Sequence, residues 1–198
     1  MSASKVGRPH TRGITEALVA AAERVMITRG FSALTVDGLV TEVGTTRPTF
    51  YRRFPSVAHI ALAVVKLRFG TGSTPRTGSL AADLRAMQRE EVAMFAEPLM
   101  RNNVVGLLEA ARTAPDLLSL YAEEFIGPRR ARVADVLDAA AERGELDASD
   151  IDVNEVCDLL LGPILARALL PLGAPLDDRL ADLTARSALL HLGLDAPS

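Results

Sequence analysis

Arg47, Thr49, Tyr51, Arg52 and Arg53 crowd into one short stretch with no Asp or Glu among them. Guanidinium, hydroxyl and phenol groups donate hydrogen bonds to phosphate oxygens, and Arg can also fork onto a base edge in a groove. The chemistry on offer is therefore recognition of a nucleic acid rather than bond-making. Elsewhere, reactive groupings are thin. The three histidines, His10, His59 and His191, are far apart, and the chain has a single cysteine. No G-x-S-x-G, H-E-x-x-H or P-loop occurs. No catalytic residue, metal ligand or cofactor is expected, and the chain does not read as an enzyme. Two alternatives stand: an α-helical enzyme, in which nothing orients Glu91 for acid–base work, and a dimerising scaffold, which leaves the basic stretch without a role.

The elements that would hold these donors can be read locally. Val36, Leu39, Val40 and Val43 fall at i, i+3, i+4 and i+7 and form one apolar helical face behind Thr35. Gly44 permits the left-handed backbone that ends a helix. Thr46 can cap a second helix, and Pro48 suits its first turn. Phe50 and Phe54, one turn apart, can dock that helix on the first and leave Arg47, Thr49, Tyr51, Arg52 and Arg53 on its outer sides. Two short helices joined at a glycine, the second with exposed Arg, Thr and Tyr, predict a helix-turn-helix.

The run T-V-x-x-L-V-x-x-V-G-T-T-R-P-T-F-Y-R-R-F-P-S from Thr35, preceded by A-A-x-x-V-x-x-x-R-G-F from Ala21, resembles the DNA-binding domain of the TetR family of transcriptional regulators. The resemblance covers about residues 12–70. It implies that the second short helix enters the major groove of double-stranded operator DNA and that Tyr51 reaches a phosphate. Thr46 and Tyr51 are then expected on the backbone and Arg47, Thr49 and Arg52 on base edges. Thr35 and Pro48 complete the expected DNA-binding set. Two positions depart from the pattern. Thr45 replaces a small apolar residue, and Val57 stands where the family often has a phosphate-contacting Lys.

Length and composition fit this division. The 198 residues are 48% hydrophobic, rich in Ala and Leu and without Trp, which favours helices and a buried core. Residues 1–70 carry ten Lys/Arg against four Asp/Glu, and the remainder twelve against twenty-one. A basic N-terminal third on an acidic body is the balance of a nucleic-acid reader with a separate second domain. The single cysteine, Cys157, suggests a reducing compartment. No signal peptide or bilayer-spanning run is evident, so the expected location is the cytoplasm, away from any membrane.

The expected organisation is all-α: a flexible basic arm over 1–12, a three-helix reader with a connecting fourth helix over 13–70, a Gly/Ser/Thr-rich linker near 70–79, and a helical ligand-binding and dimerisation domain over 80–198. The arm either reaches along DNA or is a solvated tail. In the fourth helix Ile60, Val64 and Leu67 make the inner stripe, and His59 is expected to be exposed, a phosphate contact being the other reading. Gly127-Pro128 is expected to stop one body helix. The body also resembles a TetR-family C-terminal domain, through E-F-I-G-P-R-R-A-R, G-E-L and L-L-L-G-P.

Two charges fall on apolar stripes. Glu91 sits among Leu84, Met87, Met94 and Phe95, and Arg167 among Val156, Leu160 and Ile164. A buried charge must be paired or must face a cavity. Either both are paired inside the body, pairing with each other being one way, or one or both line a small-molecule pocket whose apolar wall is Met87, Met94, Phe95 and Met100. Arg129, Arg130 and Arg132 read as a solvated face. Leu161, Leu165 and Ala168 give the long helix a second apolar side which, with Leu180, Leu183 and Leu190, could form a homodimer interface; a thicker monomer core is the other reading. The resemblance implies a regulator, expected to be a repressor released by that small molecule.

Overall fold

The computed structural model describes residues 10–147, 149, 151–170 and 172–194. Up to residue 9, the expected N-terminal arm lies outside them. Every regular element among the described residues is helical. Helix α1 (His10–Arg29) buries Leu18, Ala22, Val25 and Met26 and stops at Gly30, whose φ of 78° few L-residues adopt. One 3₁₀ turn (Phe31–Ala33) leads to α2 (Val36–Val43) and α3 (Arg47–Tyr51). The reader closes with α4 (Val57–Phe69), which packs on α1.

The sequence signals act where they stand. Thr35 Oγ accepts from Gly38 N (3.1 Å), Thr46 Oγ from Thr49 N (3.4 Å) and Ser56 Oγ from Ala58 N (3.2 Å), each satisfying a donor that helical geometry leaves free. Gly44 adopts φ 69°, ψ 38°, and Thr45 N then reaches back to Val40 O (2.9 Å).

Two expectations for α4 are corrected. Ile60 and Val64 are buried, but Leu67 is 76% exposed, because the buried length of the helix ends at Val65. His59 is only 9% exposed rather than solvated. It is wedged between its own helix cap and the body: Nδ1 lies 2.9 Å from Ser56 Oγ and Nε2 3.1 Å from Asp116 Oδ2.

The body comprises α5 (Leu80–Ala96), α6 (Pro98–Arg101), α7 (Val104–Thr113), α8 (Pro115–Tyr121), α9 (Gly127–Glu142), α10 (Val153–Leu169) and α11 (Asp178–His191). Helix α5 lies along α11, α11 along α10, and α9 touches both α5 and α10. Gly127-Pro128 does not stop a helix. A wide π turn (Ala122–Ile126) joins α8 directly to α9, with Gly127 N donating to Ala122 O. The turn resets the hydrogen-bond register, so Pro128 falls in the first turn of α9, where its missing N–H is tolerated.

Residues 70–79 have the composition of a loose linker yet are tied down. Arg132, 5% exposed, donates to Thr71 O (2.7 Å), to Ser73 O and to Glu90 (2.9 Å). The chain wraps this guanidinium so closely that a Cβ on Gly72 would lie 2.0 Å from Arg132 Nη1.

Reader and body share one apolar cluster, running from Leu18 and Met26 through Ile60 and Val65 to Leu99, Val104 and Leu117. Asn103, 1% exposed, donates to Met26 O (2.9 Å) and Leu99 O (2.6 Å). Beside it Phe31 lies against bare Gly106, where a Cβ would come within 2.4 Å of the ring. A second cluster, around Leu84, Val136, Leu160 and Leu189, lies within the body.

Candidate functional site

The basic stretch falls on α3 and the turn after it. Phe50 is fully buried and fixes the helix, with Tyr51 edge-on to it (centroids 5.5 Å apart) and Phe54 tilted against it (5.9 Å). This anchoring leaves Tyr51 54% exposed, with Thr46, Arg47, Pro48 and Arg52 also open to solvent and Thr49 half-buried. Their polar groups are already arrayed. Thr46 Oγ donates to Thr49 Oγ (3.0 Å), and Arg52 Nη2 donates to the same hydroxyl (3.2 Å). Arg47 forks onto Asp37 of α2 through Nε and Nη2. That hydrogen-bonded pair holds the Asp37 carboxyl below the usual range and raises the Arg47 guanidinium. Thr35 caps α2 with its residue exposed. Arg53 is turned inward, donating to Thr15 Oγ (2.9 Å) and Thr49 O (2.8 Å).

The body encloses a cavity of about 210 Å³ between α5, the α8–α9 segment and α10. Met87, Glu91, Met94 and Phe95 line it, so the structure brings together four of the six residues singled out for a ligand, while Met100 is buried in the core outside it. Arg167 is not in the lining. It turns to the far end of α10, where Nη1 donates to Pro175 O (2.6 Å) and lies 4.0 Å from Asp177. Glu91 and Arg167 therefore do not pair with each other.

Glu91 pairs instead with Arg129, whose Nε lies 3.2 Å away, and more distantly with Arg132 (3.8 Å). The expectation of a solvated arginine face is thus corrected for these two residues. A sequence signal existed: Arg129 and Arg132 stand four residues before Val133 and Val136, both buried, and so share their helical face. Arg129 also lies over the Phe125 ring (4.0 Å), with Nη2 on Met94 Sδ (3.3 Å) and Nη1 on Gly70 O (2.7 Å). The remaining wall includes Gln88, Tyr121, Cys157, Leu161 and Leu165. The two leucines expected at an interface, both half-buried, thus also line the cavity.

Burial raises the Glu91 carboxyl against the opposing pull of Arg129 and Arg132, lowers Arg129, and pushes Tyr121 up to about 12. An acid raised in the folded state is tolerated protonated and penalised ionised. Its contribution to stability is full below its ordinary value of 4.5 and is lost as pH rises through the folded value. Between about pH 4 and about pH 7 the wild type should therefore lose stability relative to Glu91→Gln, a difference in pH dependence read from urea midpoints at both values, while the variant carries at either pH the cost of leaving Arg129 without its carboxylate.

Two family models match the chain. "Bacterial regulatory proteins, tetR family" covers residues 18–64, and "Tetracyclin repressor-like, C-terminal domain" covers residues 74–188. The chain belongs to the TetR family of transcriptional regulators. An uncharacterized HTH-type transcriptional regulator of Mycobacterium bovis is 30% identical over 165 residues, spanning 81% of this chain and 79% of the relative. The Bacillus subtilis regulator YdeS, also uncharacterized, is 28% identical over 172 residues, 84% of each chain. A crystal structure of a TetR family transcription regulator superposes with a TM-score of 0.69 at 29% identity, covering 89% of this chain and 96% of the other. The chain is accordingly an all-α, DNA-binding regulator, and its relatives are regulators rather than enzymes.

In this TetR-family chain, the reader and the cavity are connected by side chains. Helix α4 meets the α8–α9 segment through His59–Asp116 and Lys66–Glu124, and its last turn meets α5 through Arg68–Glu97 (3.1 Å). Tyr121, Phe125 and Ile126 of that same segment line the cavity. Arg129 touches both Glu91 in the cavity and the carbonyl of Gly70 that follows α4.

Proposed function

We propose that this regulator is a cytoplasmic homodimeric repressor whose operator affinity falls when a small molecule occupies the body cavity. The observation that carries the DNA reading is the exposed array on α3, locked in place by the buried Phe50. Thr35, Thr46 and Tyr51 face the phosphates, Pro48 shapes the first turn of α3, and Thr49 and Arg52 reach for base edges. Arg47 joins them by leaving Asp37 for the DNA. The reader spans 13–70 and the ligand-binding, dimerising body 80–198.

The domain split, the lined cavity and the side-chain links to α4 support control by a ligand. A ligand that prefers the arrangement unable to bind DNA by about 1–3 kcal/mol weakens operator binding about 5–150-fold. Solved relatives with the same fold include FadR from Bacillus subtilis in complex with stearoyl-CoA and RolR with resorcinol. At 15% and 17% identity they share the fold with this chain, and each is solved with a bound small molecule. No helix among the described residues is long and apolar enough to cross a membrane.

Gel shifts on the DNA upstream of the protein's own gene test this function. Arg52→Ala should cost about 1–3 kcal/mol on the operator if Arg52 reads a guanine. Tyr51→Phe should weaken binding to all sequences alike, because a phosphate contact positions without specifying. Operator affinity unchanged in Arg52→Ala would remove that residue from the interface.

A further inference from the structure

The walls of the cavity restrict what can enter it. Every charge at the chamber has a partner. Glu91 faces Arg129 and Arg132, Arg132 also holds Glu90, and Arg130 holds Asp158 (2.8 Å). An ionic ligand would bring an unmatched charge into a chamber otherwise lined by Met87, Met94, Phe95, Leu161, Ile164 and Leu165, which is costly. The occupant is therefore neutral.

Its polar group follows from the donors left waiting. Tyr121, Phe125 and Arg129 stand four residues apart and form one column of the wall, with the Tyr121 and Phe125 rings stacked at 5.6 Å and Arg129 over Phe125. Arg129 Nη2 has only the sulfur of Met94 as its acceptor, a weak one. Its Nε is turned to Glu91, 3.2 Å away, and is not open to the cavity. Among the described residues the Tyr121 hydroxyl has no hydrogen-bond partner. The column thus offers two donors, Arg129 Nη2 and the Tyr121 hydroxyl, and only that hydroxyl can also accept.

We propose that the cavity takes a neutral, mostly apolar molecule whose polar group is a hydrogen-bond acceptor, a carbonyl of the ketone, ester or lactone type, seated on the Tyr121–Arg129 column. This rests on the reading of the cavity as the effector site. Size is consistent: an apolar cavity of about 150 Å³ admits benzene, so this one admits a ring with a short substituent. The carbonyl replaces a thioether as the partner of Arg129, the same side chain that holds Gly70 after α4.

Five probes of similar size test the class by calorimetry on the full chain: acetophenone, ethylbenzene, 4-ethylphenol, benzoate and benzylammonium. Acetophenone should bind about five- to tenfold tighter than ethylbenzene, the factor of one well-made hydrogen bond. Benzoate and benzylammonium should not bind detectably. Tyr121→Phe, which keeps the stacked ring, should cut the acetophenone-to-ethylbenzene ratio about fivefold. Equal binding of acetophenone and ethylbenzene, preference for 4-ethylphenol or for either ion, an unchanged ratio in Tyr121→Phe, or no binding by any probe would each overturn the proposal. Gel shifts without probe run alongside. Operator binding with no preference for acetophenone overturns the ligand class alone. Preferred acetophenone binding in a protein that ignores operator DNA overturns the regulator reading alone.

Discussion

Leu183→Arg should leave a folded monomer that binds the operator about 10²–10⁴-fold more weakly than the wild type. Leu183 is 48% exposed and Leu190 is 61% exposed on α11, with Leu169 and Leu170 open at the end of α10. Leu183 and Leu190 belong to the side expected to meet a second copy, and Leu169 and Leu170 extend the uncovered apolar surface beyond it. Leu180, assigned to the same side from the sequence, is instead fully buried and belongs to the core. Leu165 lines the cavity, so Leu183 is the cleaner position to perturb. An arginine there would place a charge in a contact built from apolar side chains, which is costly. Each reader would then bind one half-site alone, and linked binding of the two half-sites supplies the lost factor. Sedimentation of both proteins at micromolar concentration, followed by operator titration, reads the result. A wild type that sediments as a folded monomer would refute the dimer.

Phe50→Ala should destabilise the reader by about 3–5 kcal/mol, the usual cost of emptying an aromatic site in a core. Phe50 is fully buried, meets Phe54 and Tyr51, and is the one buried residue of the five-residue helix α3. A helix this short has no independent stability, so its orientation depends on that anchor. Operator binding should vanish before the body melts. Urea unfolding followed by circular dichroism gives the stability loss, and a variant that keeps wild-type operator affinity would contradict the anchoring role.

The reader was legible in the sequence because its determinants are local. A cap at Thr35, a positive-φ glycine at Gly44, a cap at Thr46 and a first-turn proline at Pro48 each act within a few residues. Glu91 stood out for the same reason, as a charge on an apolar stripe. What escaped the sequence depends on other helices. Arg129 and Arg132 look solvated beside the acids of α9, and only the approach of α5 and of the 70–79 segment buries them. His59 looks exposed until α8 brings Asp116 to it. Gly127-Pro128 reads as a stop because one-dimensional periodicity assumes an unbroken α-helical register, and the π turn changes that register one residue earlier. Arg167 shared a stripe with cavity residues on the wheel, yet it lies a turn further along α10, where the chain folds back and Pro175 and Asp177 claim it.

The way the two halves are joined limits how they can be recombined. Regulators with a reader and a sensor invite the exchange of one head for another, cut at the Gly/Ser-rich segment between them. Here such a cut would divide contacts that belong to neither half alone. Asn103 of the body closes the end of α1, Phe31 of the reader occupies the space left by Gly106, and the segment itself is threaded around Arg132. A transplanted head would need its own match for each of these side chains. The unit of inheritance in this protein is therefore the whole chain, and specificity for DNA and response to an effector are free to diverge only as fast as the seam between them can be rebuilt.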